Sequence, residues 1–254
     1  MNDFTGRKFV VTGAARGIGA GISRRLIGAG ASVVGIHNTA VAEAGELELE
    51  FPGPLKMLQA DLADPASISA LAEILRAEGE LRGLVNNAGT IDFQTWDDFS
   101  FDEWRRVFAV NVDAPVLLVH ALRGLFTRDA SIVNIASTDG MTGSFGSIAY
   151  SASKAALLNV TRSMANLLGP AGIRVNAVAP GWINTGMSTA ASYAAGDLTP
   201  LGRNGTPAEI AAVVEFLLGD DARFVTGAAL IVDGGYTNVD TIMRQEYADL
   251  GPRE

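Results

Sequence analysis

Three observations predict a doubly wound α/β fold with a single parallel sheet. Short β-rich apolar runs alternate with longer helical patterns from one end of the 254-residue chain to the other. The first apolar run leads into a glycine-rich turn that opens a helix. No repeat, low-complexity tract or Pro-rich linker divides the chain, and 48% of its residues are hydrophobic, enough for one large core. The expectation is one domain over residues 1–254.

Seven strands are expected, at Lys8–Thr12, Ser32–Ile36, Leu55–Ala60, Gly83–Asn86, Ser131–Ala136, Arg174–Ala179 and Ala228–Asp233. Between them the hydrophobic period predicts helices over Ile18–Ala29, Val41–Phe51, Pro65–Glu78, Phe101–Thr127, Ala149–Leu168 and Pro207–Leu218. Start signals support two of these: Asp64 precedes Pro65, and Thr206 precedes Pro207 with Glu209 just after. Right-handed crossovers of this kind cover both faces of a parallel sheet. The irregular stretch Gly181–Arg203, rich in Gly, Ser, Ala and Thr, is expected to form a mobile lid near the ligand. A tail follows from about residue 237.

Composition narrows the chemistry. The chain has no cysteine and only two histidines, His37 and His120. Disulfides, thiolate nucleophiles and thiolate metal sites are therefore excluded, and no metal site is expected. The formal charge of −9 disfavours nucleic acid or an anionic membrane surface as partner. The N-terminal stretch lacks a signal-peptide pattern and no apolar run is long enough to span a bilayer, so a cytoplasmic protein acting on a small molecule is expected.

The first turn, "TGAARGIG", places glycines at 13, 17 and 19, with Arg16 and Ile18 among them. Such a turn lets backbone approach a pyrophosphate, and the helix N-terminus favours the anion. The second strand ends in His37, Asn38 and Thr39, with no carboxylate to take a ribose 2′-hydroxyl. With Arg16 available to a 2′-phosphate, this points to NADP rather than NAD. Asp61 and Leu62 follow the third strand, where they suit an adenine amino group and ring. "NNAG" ends the fourth, offering Asn87, Ala88 and Gly89.

In "YSASK", Tyr150 and Lys154 lie four apart, on one helix face. An ammonium beside a phenol is expected to bring its pKa from about 10 toward the working range, giving a histidine-poor protein a proton donor. Ser137, closing the fifth strand, can hydrogen-bond a substrate oxygen, and Asn111, within the long fourth helix, can hold a water leading to Lys154.

Taken together, "TGAARGIG", Asp61, "NNAG", Asn111, Ser137, "YSASK", "PGWINT" and "VDGGY" resemble, in order and spacing, the classical short-chain dehydrogenase/reductase family over nearly the whole chain. The resemblance implies a Rossmann-like seven-stranded sheet, a nicotinamide cofactor and an Asn-Ser-Tyr-Lys tetrad. Tyr150 would be the general acid/base, Ser137 would orient the substrate oxygen, Lys154 would lower the phenol pKa and bond the nicotinamide ribose, and Asn111 would support a water relay. Pro180, Gly181, Ile183 and Thr185 would contact the nicotinamide end. A homotetramer is implied as well, with helices 101–127 and 149–168 at one interface.

The reaction implied is reversible hydride transfer between NADP(H) and a carbonyl or secondary alcohol. The subgroup resembled includes 3-oxoacyl-[acyl-carrier-protein] reductases and sugar or polyol dehydrogenases. A carrier protein is expected to need basic residues ahead of the sixth strand; here stand Pro170 and Ala171, with only Arg174 basic. Asp139, Phe145, Trp182, Asn184, Met187 and Tyr193 are expected to border the substrate pocket, and the polar members suit a small hydroxylated compound such as a sugar, polyol or keto compound. The other readings are a carrier-protein reductase and a non-catalytic nucleotide sensor. The "NVDTIMRQEYADLGPRE" tail extends past the usual family end, toward a neighbouring subunit's pocket or frayed.

Overall fold

The computed structural model describes residues 2–185 and 195–250. Seven strands form one all-parallel sheet in the order β3-β2-β1-β4-β5-β6-β7. They are β1 (Lys8–Thr12), β2 (Ser32–His37), β3 (Leu55–Gln59), β4 (Leu81–Asn86), β5 (Phe126–Ile135), β6 (Arg174–Pro180) and β7 (Ala229–Val232). Helices cross between them: α1 (Gly17–Gly28), α2 (Val41–Glu50), α3 (Pro65–Ala77), α4 (Phe101–Phe108), α5 (Ala114–Leu122), α6 (Ile148–Leu168) and α7 (Pro207–Leu218). A last helix, α8, covers Thr241–Asp249. All seven strands and the helical segments expected between them are present, with ends that move by a few residues.

The sheet is buried on both faces because its strands are apolar at successive positions. Phe9 and Val11 of β1 pack with Ile22, Leu26, Val214 and Leu217 from α1 and α7. Val10 between them points the other way, among Leu71, Leu75, Leu118 and Leu122 from α3 and α5. Helix starts obey their local signals. The Asp64 carboxylate accepts from the Ala66 N–H at 2.9 Å, and Thr206 and Glu209 form a reciprocal capping box at the head of α7. Between α1 and α7, the buried Glu215 carboxylate accepts from the Asn2 N–H at 2.9 Å and pairs with Arg25, tying the N-terminus to the far helix.

One segment differs from expectation. The long helix over 101–127 is instead α4, a π-turn at Ala109–Asp113, and α5, with Thr127 already in β5. Pro115 lacks the N–H that a continuous helix would use, and Phe126 gains a ladder partner in Leu81, which outweighs local helix preference. The tail includes α8, and Arg244 on it hydrogen-bonds the Asp197 carbonyl. The expected lid region is tied at both described ends: Ile183 bridges Gly205, and Ala195–Leu198 forms a 3₁₀ turn. No helix among the described residues is long and apolar enough to cross a membrane.

Candidate active site

Strand order reverses between β1 and β4, so the loops after these neighbouring strands diverge and leave a crevice at their carboxyl ends. A cleft of about 690 Å³ opens there, running from the glycine turn to the head of α6. The turn itself is tightly built. A Cβ at Gly19 would lie 2.1 Å from the Gly13 carbonyl oxygen and 2.6 Å from the Asn87 amide nitrogen, so only glycine lets α1 begin this close to β1. Asn87 donates to the carbonyls of Thr12 at 2.8 Å and Gly13 at 3.1 Å, which locks the β4 loop onto the turn. Its side-chain amide is thus spent on the turn, although Asn87 still lines the cleft with Ala88 and Gly89.

The other nucleotide-side residues expected from sequence converge on the same cleft: Gly13, Arg16, Gly17, Ile18, His37, Asn38, Thr39, Asp61 and Leu62. Gly19 lies behind the wall as the helix contact just described. Arg16 is exposed at the start of α1, and its guanidinium makes no hydrogen bond or ion pair with any described residue. His37 is buried and its Nδ1 has no partner. An unpaired guanidinium and an orphaned imidazole nitrogen beside a helix N-terminus fit an anionic nucleotide. Asp61 accepts from the Ala63 N–H at 2.9 Å, which fixes its carboxylate at the end of β3.

At the other end of the cleft lie Ser137, Tyr150, Lys154, Pro180, Gly181, Trp182, Ile183 and Thr185. Ser137 heads a 3₁₀ turn over Thr138–Gly140, its Oγ accepting from the Asp139 N–H at 3.1 Å. Gly140 brings this turn against α6: a Cβ there would sit 2.7 Å from the Lys154 carbonyl carbon and 2.8 Å from the Ala155 nitrogen. Sequence reasoning passed over Gly140; the signal was a glycine three residues after the strand-end serine. The Ser151 hydroxyl fastens the same turn by donating to the Asp139 carbonyl at 2.8 Å.

Lys154 is buried, and its Nζ donates to the Ile135 carbonyl at 2.8 Å while lying 5.5 Å from the Tyr150 ring centroid. The π-turn carries Asn111 inward, where it is fully buried. Its Oδ1 accepts from the Thr90 N–H at 2.8 Å, and its Nδ2 donates to the Thr90 carbonyl and the Ser153 Oγ, both at 2.9 Å. Both amide N–H groups are therefore engaged, leaving one lone pair on Oδ1 for any further partner.

The expected lowering of the phenol pKa is reversed in the protein chain by itself. Burial pushes Tyr150 up to about 12; hydrogen bonding with Ser137 lowers it, and the Asp139 charge adds to the rise. Burial also brings Lys154 down to about 8. Desolvation is the largest cause of the shift for both groups. At neutral pH the phenol is accordingly protonated, the form that donates a proton.

The expected substrate residues divide. Trp182 lines the cleft and Phe145 stands exposed just ahead of α6. Burial raises the Asp139 pKa. The Asn184 side chain accepts from the Asn204 amide at 3.0 Å, holding the chain to the loop before α7. Met187 and Tyr193 lie outside the described residues. Missed by sequence reasoning were Thr90, Ile91, Arg106 and Val110, which also line the cleft, and the exposed Phe93 and Trp96 beyond it. Arg106 donates to the Thr90 hydroxyl at 3.0 Å. The Gln94 N–H donates to the Gly146 carbonyl at 2.9 Å, placing the loops of Phe93 and Phe145 side by side. Arg174 lies at the start of β6, away from the cleft, and donates to the Gly219 carbonyl at 3.1 Å.

A doubly wound parallel sheet with a glycine-turn crevice and a half-buried tyrosine beside a buried lysine defines a nucleotide-binding α/β enzyme. A family model described as enoyl-(acyl carrier protein) reductase matches residues 13–237. The chain is 39% identical to 3-oxoacyl-[acyl-carrier-protein] reductase FabG of Salmonella typhimurium, over 91% of this chain and 98% of that protein. It is 34% identical to a 3-alpha-(or 20-beta)-hydroxysteroid dehydrogenase of Mycobacterium bovis, over 91% of this chain and 89% of that protein. Its structure is similar to a short-chain dehydrogenase of Burkholderia cenocepacia in complex with NADP, with a TM-score of 0.88 and 32% identity over 93% of this chain and 100% of that one. The chain belongs to the short-chain dehydrogenase/reductase family, NAD(P)-binding oxidoreductases of carbonyl and CH–OH groups.

Proposed function

We propose that this protein is an NADP(H)-dependent oxidoreductase that interconverts a small ketone or aldehyde and its alcohol, with Tyr150 as the proton-transfer group. The observation that carries the proposal is the single cleft that holds the glycine turn and Arg16 at one end and Ser137, Tyr150 and Lys154 at the other. The unpaired Arg16 and the absence of a carboxylate after β2 support a 2′-phosphate. Gly13, Gly17, Ile18 and Gly89 bound the nucleotide, with Asp61 and Leu62 at the adenine end. Pro180, Gly181, Ile183 and Thr185 bound the nicotinamide end.

The cofactor, when bound, supplies the hydride to the carbonyl carbon. Ser137 holds the substrate oxygen against the Tyr150 hydroxyl, which passes its proton to that oxygen as negative charge develops there. Lys154 keeps a positive charge beside the phenolate that results, and Asn111 fixes the loop after β4 against α6. The protonated phenol of the free chain suits this direction; the alcohol is oxidised by the reverse transfers. Asp139, Phe145 and Trp182 give the entrance one carboxylate and two aromatic faces, which suit a hydroxylated carbonyl compound with an apolar side. The related 3-oxoacyl-[acyl-carrier-protein] reductases favour a 3-oxoacyl thioester as the second reading. Against it, Arg174 is committed to the Gly219 carbonyl away from the cleft, and no other basic residue stands in the segment 169–174 that leads into β6. We place the enzyme in the cytoplasm, as a homotetramer joined partly through α4, α5 and α6, where Phe101, Val116 and Leu167 are exposed.

Titration with NADPH and NADH, followed by cofactor oxidation over ketones, sugars and 3-oxoacyl thioesters, tests the proposal. Tighter NADPH binding and turnover of a keto compound are expected. Tight binding without turnover of any of these substrates would leave a nucleotide sensor instead.

A further inference from the structure

Residues 195–205 frame one wall of the cleft. Gly205 donates its N–H to the Trp182 carbonyl and accepts from the Asn184 N–H, both at 2.9 Å, so Trp182 and Ile183 line the cleft where residue 205 sets them. The 3₁₀ turn Ala195–Leu198 packs on the residues just ahead of that contact: a Cβ at Gly196 would lie 2.8 Å from the Asn204 nitrogen and 3.0 Å from the Arg203 carbonyl carbon. Buried Thr199 joins the two, donating to the Gly196 carbonyl at 2.8 Å and accepting from the Arg203 N–H at 3.3 Å. The segment is held from outside at separate points. Arg203 pairs with Glu209 at the head of α7, at 2.6 Å, and the Leu201 N–H donates to the Gly234 carbonyl at 3.3 Å. Arg244 of α8 holds the Asp197 carbonyl, and α8 lies past residue 237, where the family match ends. Asp240 caps this helix, its Oδ1 accepting from the Ile242 N–H at 3.0 Å and the Met243 N–H at 3.1 Å, which fixes where Arg244 projects.

We propose that Arg244 is a positioning residue for the substrate: α8 clamps the 195–198 turn, and through residues 203–205 the clamp sets Trp182 against the carbonyl compound in the cleft. The inference rests on the reading of that cleft as a site of carbonyl reduction. Lys154 and the turn after Ser137 are placed by separate bonds, to the Ile135 carbonyl and from the Ser151 hydroxyl. Loosening the clamp therefore weakens the hold on substrate while the proton-transfer group and the glycine turn keep their places. Arg244 is exposed, and an exposed hydrogen bond contributes little to overall stability, so its loss shows as a local change rather than as unfolding.

The test compares Arg244→Ala and Arg244→Lys with the wild type, with ethyl acetoacetate as the keto probe and amide hydrogen exchange over residues 196–205 as a readout free of turnover. If the wild type passes over ethyl acetoacetate, the ketone, sugar or 3-oxoacyl thioester it turns over fastest takes its place. Arg244→Ala is expected to speed exchange across 196–205 at least about fivefold and to raise KM for the probe about fivefold, with kcat and NADPH affinity within about twofold and Tm unchanged. Arg244→Lys keeps an N–H donor for the Asp197 carbonyl and should restore both readouts toward the wild type. Unchanged exchange in Arg244→Ala overturns the clamp. Faster exchange with unchanged KM overturns the link to substrate, and a fall in kcat alone does the same. A change in oligomeric state by size-exclusion chromatography would assign Arg244 to a subunit contact and overturn the inference as well. Failure of the underlying reading shows separately, as a wild type that reduces none of these compounds, while the exchange comparison still decides whether α8 holds the turn.

Discussion

The Lys154 ammonium faces the Tyr150 ring at 5.5 Å but gives its hydrogen bond to the Ile135 carbonyl at 2.8 Å. The lysine is therefore fixed by the end of β5, and it stands over the phenol ring with no hydrogen bond to the hydroxyl. Lys154 falls to about 8 through burial while Tyr150 rises to about 12, so the pair carries its proton on the phenol and its charge on the lysine at neutral pH.

The pH dependence of reduction follows from that ordering. Reduction needs a protonated phenol and a charged lysine, and both hold below pH about 8, where the lysine begins to lose its proton. In steady-state assays from pH 6 to 10, kcat/KM for reduction is expected to be flat through neutrality and to fall about tenfold per unit well above the lysine pKa. A rate that rises steadily up to pH 10 would contradict the assignment.

Stability is expected to move opposite to activity in Lys154→Met. The folded-state pKa of about 8 lies below the ordinary 10.5, so the charged lysine destabilises the fold fully below pH 8, and the penalty is relieved as pH rises toward 10.5. That shift corresponds to about 3 kcal/mol, of which about 1–2 is returned when the Ile135 carbonyl loses its donor. Thermal unfolding at pH 7 should show Lys154→Met a few degrees more stable and nearly inactive. A variant of lower Tm would show that the lysine's bond to Ile135 outweighs its desolvation.

Cofactor choice is expected to depend on Arg16, whose side chain at the glycine turn has no partner among the described residues. Arg16→Ala should weaken NADPH about tenfold or more while leaving NADH within about twofold, because only the former brings a 2′-phosphate. Fluorescence titration with both cofactors checks this. An equal loss for the two would move Arg16 to the shared pyrophosphate.

Gly140→Ala tests how the serine is placed. Its Cβ would press on the backbone of Lys154 and Ala155 at 2.7 and 2.8 Å, so the turn carrying Ser137 must back away from α6. A cost of about 1–3 kcal/mol is expected, with Tm down by a few degrees, kcat down more than about tenfold and NADPH affinity little changed. Calorimetry and steady-state kinetics on one preparation would show it; a fully active variant would mean that Ser137 does not depend on this contact.

The sequence by itself determined the α/β alternation, the glycine turn, the caps at Asp64 and Thr206, and the order of Asn111, Ser137, Tyr150 and Lys154. These depend on neighbours within a few residues, where period, capping and turn chemistry act directly. Tertiary structure alone decided the π-turn that drives Asn111 inward, the commitment of Asn184 to Asn204 and of Arg174 to Gly219, the helix formed by the tail, and the upward direction of the Tyr150 pKa. Each depends on groups distant in the chain. Burial sums the surroundings from every element packed on a residue, and a polar side chain takes whichever partner the fold brings within about 3 Å, so spacing along one strand or helix could not announce them.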